Sequence, residues 1–278
     1  MGREDIQNAL SLINTEGWGY ASEEIERMLR LDPSGSFLYG DGPLLAVVTC
    51  VTYSRTGVIG HLVVSKSARG QKIGRAMLQK AIDYFSSQKV DSILLYATDE
   101  GARLYEKFGF RSLRHTHCAY AVATAKDAAH SRSVCELIKP DDLDEILEID
   151  SQLFGDNRGK LLRMLLSEFP QHALKLERDG RIVGFALGRA SPMGLDVGPW
   201  ACLTGDETDA ELLINATISS YGAGTVFLGV FTDNRQAMEI VDRMKKTKTF
   251  QTRLMVRGKD RYASHIEDVF GVAALELG

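Results

Sequence analysis

The chain has 278 residues, 44% of them hydrophobic, enough for one large or two modest domains and too apolar for a disordered chain. A net charge of −4 at pH 7 gives no ground for a nucleic-acid partner, and none is expected. The longest apolar runs are far too short to cross a bilayer, and the first residues are charged and polar, so a cytoplasmic protein without a signal peptide or membrane partner is expected.

The first residues read as two helices. Ile6, Leu10 and Ile13 mark one, and Ala21, Ile25, Met28 and Leu29 the other, with Ser22 as its expected N-cap and Glu23 and Glu24 in its first turn. Residues 36–39 form a short strand, and Gly40-Asp41-Gly42-Pro43 turns the chain. Strands over 44–53 and 58–64 follow, joined at Arg55-Thr56-Gly57, so the second of them is the third strand of an antiparallel meander. It leads through a polar loop, 65–68, into a helix carrying Ile73, Met77, Leu78, Ala81, Ile82 and Phe85 at helical spacing. A strand over 91–98, a short helix over 102–107 ending at Gly109, and a strand over 111–122 that closes the sheet complete the first half.

At the strand-to-helix junction stands Arg69-Gly70-Gln71-Lys72-Ile73-Gly74-Arg75. Glycines let backbone approach a ligand, and the free N–H groups of a helix start attract anions. With Arg69, Lys72 and Arg75 beside them, these groups make a diphosphate cradle; the competing account is an ordinary connection with a solvated basic rim. The GxxxxGK[ST] of a nucleotide P-loop and the GxGxxG of a dinucleotide fold are both lacking.

This junction resembles the acetyl-CoA signature of the GNAT acyltransferases, Q/R-x-x-G-x-G/A. Arg69, Ile73 and Gly74 fit it, and Lys72 takes the place of the first glycine, where only a backbone N–H is needed. The block Leu104-Tyr105-Glu106-Lys107-Phe108-Gly109-Phe110 looks like the family's L-Y-x-x-x-G-F, with Thr98 where many members have asparagine. The element order is also that of the family, without its usual opening strand; a trimmed start and a replacement edge both stay open.

Residues 125–133 are small and polar and read as a linker between a domain at 1–124 and a second at 134–278. The second half repeats the plan. A strand at 135–139 precedes helices with Leu143, Ile146, Leu147 and Leu153, then with 161–166. A hairpin of 172–178 and 181–189 turns at Asp179-Gly180. Next come a strand at 195–203, a helix from Ala210 to Tyr221, a strand at 225–231, a helix at 237–244 and a strand at 250–256; the apolar 268–277 reads as strand. Where the cradle should be, Thr204-Gly205-Asp206-Glu207-Thr208-Asp209 offers three carboxylates and no arginine. Such acids favour a helix start but repel a diphosphate. The expectation is tandem GNAT folds of α/β (α+β) class, each a mixed, mostly antiparallel sheet flanked by helices, the second degenerate and shaping the acceptor site.

The resemblance implies acetyl transfer from acetyl-CoA to a primary amine of a small molecule or peptide. Backbone amides of Leu62, Val63 and Val64 would hold the thioester oxygen and pantetheine, and those of Gly70, Gln71, Lys72, Ile73, Gly74 and Arg75, with the Arg69 side chain, the diphosphate. Tyr105 would be the general acid; its competing account is a packed core tyrosine. The base is not visible. His61 is one residue out of phase with Leu62 and Val64; His115 and His117 share a strand face; Asp99 and Glu100 could draw a cationic amine or simply cap a helix. Cys50, Cys118, Cys135 and Cys202 have no metal-ligand spacing and read as reduced core residues, so no metal is expected. The alternative function is a non-catalytic acyl-CoA-binding sensor whose second domain recruits a partner. The oligomeric state, a homodimer included, is open.

Overall fold

The computed structural model describes residues 1–124, 134–261 and 266–278, with side chains there except at positions 114, 115 and 249. The expected linker at 125–133 and the His115 side chain therefore lie outside the described residues. The chain folds as two compact units. Unit 1 is Met1–Ser112 with Met255–Asp260 and Leu275–Gly278; unit 2 is Leu113–Leu254 with Arg261–Ala274.

Unit 1 contains α1 (Ile6–Ile13), α2 (Ser22–Leu31), β1 (Phe37–Tyr39), β2 (Ala46–Thr52), β3 (Thr56–Val64), α3 (Ile73–Ser87), β4 (Ser92–Ala97) and α4 (Asp99–Glu106). β1, β2 and β3 are antiparallel neighbours, and β4 runs parallel to β3. Alternation splits the β2 and β3 side chains between two cores. Val48, Cys50 and Ile59 pack with Leu78, Ala81 and Phe85 of α3, while Val47 and Val63 pack with Ile13 of α1 and Ile25 of α2. Ser22 is not the cap of α2: Ala21 holds that position, and Glu24 closes the turn by accepting from its N–H at 2.7 Å. A carboxylate at the third helical position fixes the helix start by binding the N-cap N–H, the reciprocal half of a capping box, without a capping hydroxyl.

Unit 2 contains β5 (Arg111–Thr124) from Leu113 onward, β6 (Cys135–Leu137), α5 (Leu143–Phe154), α6 (Gly159–Glu168), β7 (Ala173–Arg178), β8 (Arg181–Ser191), β9 (Gly194–Cys202), α7 (Glu207–Tyr221), β10 (Gly224–Phe231), α8 (Arg235–Arg243), residues 246–254 of β11 (Lys246–Gly258), and β12 (Val269–Gly271). Its strand order is β11-β5-β10-β9-β8-β7-β6, with β12 on β9. Asp179 and Gly180 both have positive φ, 51° and 74°, the backbone of a two-residue hairpin turn between β7 and β8. The sheets are mixed and mostly antiparallel, with helices on their faces, as expected.

The unit boundary does not follow a cut at residue 124. β5 was expected to close the first sheet, yet His117 to Thr124 pair residue by residue with β10 of unit 2. Unit 1 is closed beside β4 by the end of β11, where Lys259 N–H donates to Asp91 O at 2.9 Å. Of the expected strand at 268–277, only β12 pairs, and the last four residues pack in unit 1. Backbone pairing partners distant in sequence decide these assignments, and they leave no local pattern.

Candidate active site

Two features shape the end of β3. Val47 pairs Val63 and Thr49 pairs Gly60, so His61 and Leu62 together oppose Val48: a β-bulge. His61 takes φ +43°, a conformation that costs an L-residue about 1–2 kcal/mol. The parallel pairing with β4 runs from Thr56–Ser92 to Ile59–Leu95 and ends there. Among the described residues no strand pairs with that edge of β3 beyond Ile59. Ser65 N–H donates to Leu45 O at 2.8 Å, toward β2, so strand alternation turns the amide of Val64 toward the β4 side. The side chains of Leu62 and Val64 pack on the α3 core, and those of Val63 and His61 lie with the α1–α2 side. The splayed strand that the thioester reading calls for is thus built by a bulge and a truncated ladder.

The following loop holds a 3-10 turn, Lys66–Ala68, and then the junction. Gly70 has φ +81° and Lys72 φ +63°. The glycine position of the signature is therefore left-handed here, and the lysine accepts that conformation at the helix N-cap. Left-handed residues in a loop of this kind turn N–H groups toward one side, the backbone from which anion nests are made. The first helical bond is Ala76 N–H to Lys72 O at 3.1 Å; the amides of Ile73, Gly74 and Arg75 donate to no described residue. A Cβ on Gly74 would sit 3.4 Å from Val64 Cγ2, so the missing methyl keeps the helix start close to the strand end.

Arg69, Gly70, Gln71, Lys72 and Arg75 are exposed, whereas the Ile73 side chain is in the α3 core, leaving only its amide for a ligand. Arg69 does not point freely into the nest: its guanidinium pairs with Glu16 at 2.5 Å, and its Nε donates to Val64 O at 3.2 Å. Arg75 stands over the Phe108 ring at 5.2 Å. Free amides, exposed cations and a glycine against the strand fit a bound diphosphate.

Tyr105 sits in the last turn of α4, half-buried, packed with Leu62, Val64, Leu104 and Phe108 around the same core and edge-on to Phe110 at 5.9 Å. Its hydroxyl bonds to no described residue, and burial pushes its pKa up to about 12. Thr98 caps α4, its Oγ1 accepting from Gly101 N–H at 3.2 Å, and Asp99 and Glu100 occupy the first turn. The structure brings Tyr105 and β3 to one core; it puts His117 elsewhere, in unit 2, buried beside Phe231 and with its pKa lowered to about 3 by desolvation. His61 is buried beside Trp18 and Tyr20, with Glu276 bonded to Tyr20 and packed on Gly60, neighbours that sequence spacing gave no means to find.

The corresponding region of unit 2 has the same frame and a different filling. Ala186 pairs Trp200 and Gly188 pairs Val197, so Gly198 and Pro199 oppose Leu187 as His61 and Leu62 oppose Val48. The parallel β9–β10 ladder likewise stops, at Val197–Leu228. Here β12 pairs with Trp200 and Ala201, and Val272 N–H donates to Gly229 O at 3.1 Å. Asp206 caps α7 by accepting from Thr208 N–H at 2.8 Å, and Asp209 is ion-paired with Arg178.

Comparison with known proteins agrees with this geometry. Residues 34–112 and residues 146–271 each match a family model described as an acetyltransferase (GNAT) domain. The uncharacterized N-acetyltransferase YitH of Bacillus subtilis strain 168 is 27% identical over 201 residues, 70% of this chain and 69% of its own. A protein of Pyrococcus horikoshii shares the fold over 100% of this chain and 94% of its own, with a TM-score of 0.83 at 20% identity. A tandem GNAT protein from the clavulanic acid biosynthesis pathway does so over 93% and 97%, with a TM-score of 0.63 at 12% identity. Two matched domains on two bulged and splayed sheets have one reading: the chain belongs to the GNAT acetyltransferase family, in tandem form.

Proposed function

We propose that unit 1 transfers an acetyl group from acetyl-CoA to a primary amine and that unit 2 binds no coenzyme A. The observation that carries the first part is the end of the β3–β4 ladder at Ile59–Leu95, directly before an exposed basic nest. Acetyl-CoA would supply the acyl group as a thioester. The Val64 amide, with that of Leu62 two residues before it, would donate to the acyl oxygen as negative charge develops there, whereas alternation turns the expected Val63 amide toward its partner Val47 on β2. The amides from Gly70 to Arg75 would hold the diphosphate, with Lys72 and Arg75 adding charge and Arg69 joining if it leaves Glu16. Tyr105 keeps its proton throughout the physiological range and would donate it to the departing sulfur.

The second part rests on β12, Val272 and the acid-capped α7, which occupy in unit 2 the places of the donor-binding groups of unit 1. Thiol release from acetyl-CoA across a panel of amines, with coenzyme A affinity by calorimetry, tests the whole. Tyr105→Phe should lower kcat about 100-fold and leave coenzyme A affinity within about twofold. Binding one equivalent of coenzyme A without thiol release from any amine would replace this reading with a non-catalytic acyl-CoA module.

A further inference from the structure

We propose that His61 Nε2 is the proton acceptor for the attacking amine, an inference that rests on the acetyltransferase reading of unit 1. His61 stands on the bulge, one residue after the parallel ladder has lost its last pair by Gly60 and one before the Leu62–Val64 amides. Its left-handed backbone is a local strain at the point where β3 leaves β4, and such strain is held only where surrounding structure enforces it.

The ring is 6% exposed, with Nδ1 2.9 Å from Thr49 Oγ1, itself fully buried on β2. Nε2 is buried and has no hydrogen-bond partner. With Nδ1–H donated to Thr49, Nε2 carries a lone pair and no proton; the opposite tautomer would strand an N–H donor in the core. The surroundings suit a positive charge passing through. Tyr20 stands edge-on to the imidazole at 4.3 Å and Trp18 lies tilted to it at 6.4 Å, and Trp18 is 42% exposed, a wall facing solvent. Glu276, whose Cβ packs on Gly60, accepts from Tyr20 Oη–H at 3.0 Å through its carboxylate, and Glu24 on α2 favours the imidazolium. Among the described residues, Tyr20 and Glu24 are titratable groups that act on the ring, and Glu276 acts on Tyr20. Burial lowers its pKa to about 4, so it is neutral at pH 7.

The step balances. The neutral amine bonds to the acyl carbon, and the nitrogen, acidified as that bond forms, passes one proton to His61 Nε2. The carbon–sulfur bond breaks, sulfur takes the Tyr105 proton, and the His61 proton returns to Tyr105 through solvent. The sum is amine plus thioester giving amide plus thiol.

The test uses the full chain with 15N-labelled histidine, coenzyme A bound, and spermidine, kanamycin and a tripeptide amide as amine probes. The expected result is a neutral His61 protonated on Nδ1 at pH 7, with its Nε2 resonance moved by saturating amine. His61→Gln should lower kcat/KM about 100-fold with unchanged coenzyme A affinity, and His61→Ala should regain part of its rate on adding free imidazole. A proton found on Nε2, an Nε2 resonance unmoved by all three amines, or parental kcat/KM in His61→Gln would overturn the assignment alone. Coenzyme A binding without thiol release in the parent would overturn the acetyltransferase reading and this assignment with it.

Discussion

The ends of β3 in unit 1 and β9 in unit 2 start from one geometry. Each is the longer side of a two-against-one bulge, each runs parallel to its next neighbour for only a few residues, and each leads to a 15-residue helix, α3 or α7. Past the bulge the two units part. In unit 1 a basic loop with left-handed Gly70 and Lys72 leaves amides at the helix start. In unit 2 Asp206 caps its own helix, Asp209 and Glu207 are ion-paired with Arg178 and Arg243, and the chain's later segment supplies the hydrogen bonds: Val272 to Gly229, β12 to β9, Arg189 to Ala273 O at 2.7 Å. A splayed strand pair has backbone groups to satisfy, and it can meet that demand with a ligand or with more of its own chain. The difference lies in charge and in one short strand, on a shared frame.

Gly198 offers the strongest way to break the comparison. A Cβ there would lie 1.8 Å from Val272 O, a backbone atom that cannot swing aside. Gly198→Ala should destabilise the protein by about 3 kcal/mol, read by denaturant unfolding; Gly74→Ala, whose Cβ meets Val64 Cγ2 at 3.4 Å, should cost less than about 1 kcal/mol. Equal losses would mean that β12 does not seal its slot. Acid provides a second, comparable probe. His61 in unit 1 and His117 in unit 2 are held neutral by burial, with pKa values lowered from 6.5 to about 4 and about 3. Because the folded values lie below the unfolded ones, stability is full above pH 6.5 and falls as the pH drops toward 4, by about 3 kcal/mol from His61 alone once the ring is fully charged. Unfolding series from pH 7 to 4 on the parent and His61→Gln check this; equal slopes would refute it.

Two smaller effects sharpen the ligand side. Gly74→Leu should weaken coenzyme A binding at least about tenfold, because its side chain enters the space between Val64 and Leu104, and calorimetry reads that directly. Lys72→Gly should raise stability by about 0.5 kcal/mol, the relief at φ +63° exceeding the added unfolded-state entropy, while lowering coenzyme A affinity severalfold through the lost charge. A stability loss would show that the lysine side chain, and not the backbone angle, matters at that position.

Some of this was written locally. The helix stripe from Ile73 to Phe85, the basic junction before it, the acidic junction at 204–209 and the Asp179-Gly180 hairpin are short-range patterns, and periodicity or turn chemistry sets each one within a few residues. Even the left-handed Lys72 was foreseeable as a demand, since the loop asks that backbone angle of whatever residue stands there. Ser22 misled because the Glu24 carboxylate, bound to Ala21 N–H, starts the helix one residue earlier without a capping hydroxyl. By itself, then, the sequence determined the two-fold repetition of elements and the opposite charge of the two helix starts. The tertiary structure alone decided that β5 pairs in unit 2 while the end of β11 closes unit 1, that β12 fills one splayed strand pair, and that Glu276 meets Tyr20 across 256 positions of chain and packs on Gly60. Backbone hydrogen bonds between distant segments are the same for every side chain, so they leave no trace in composition or period, and only the folded chain shows which segments come together.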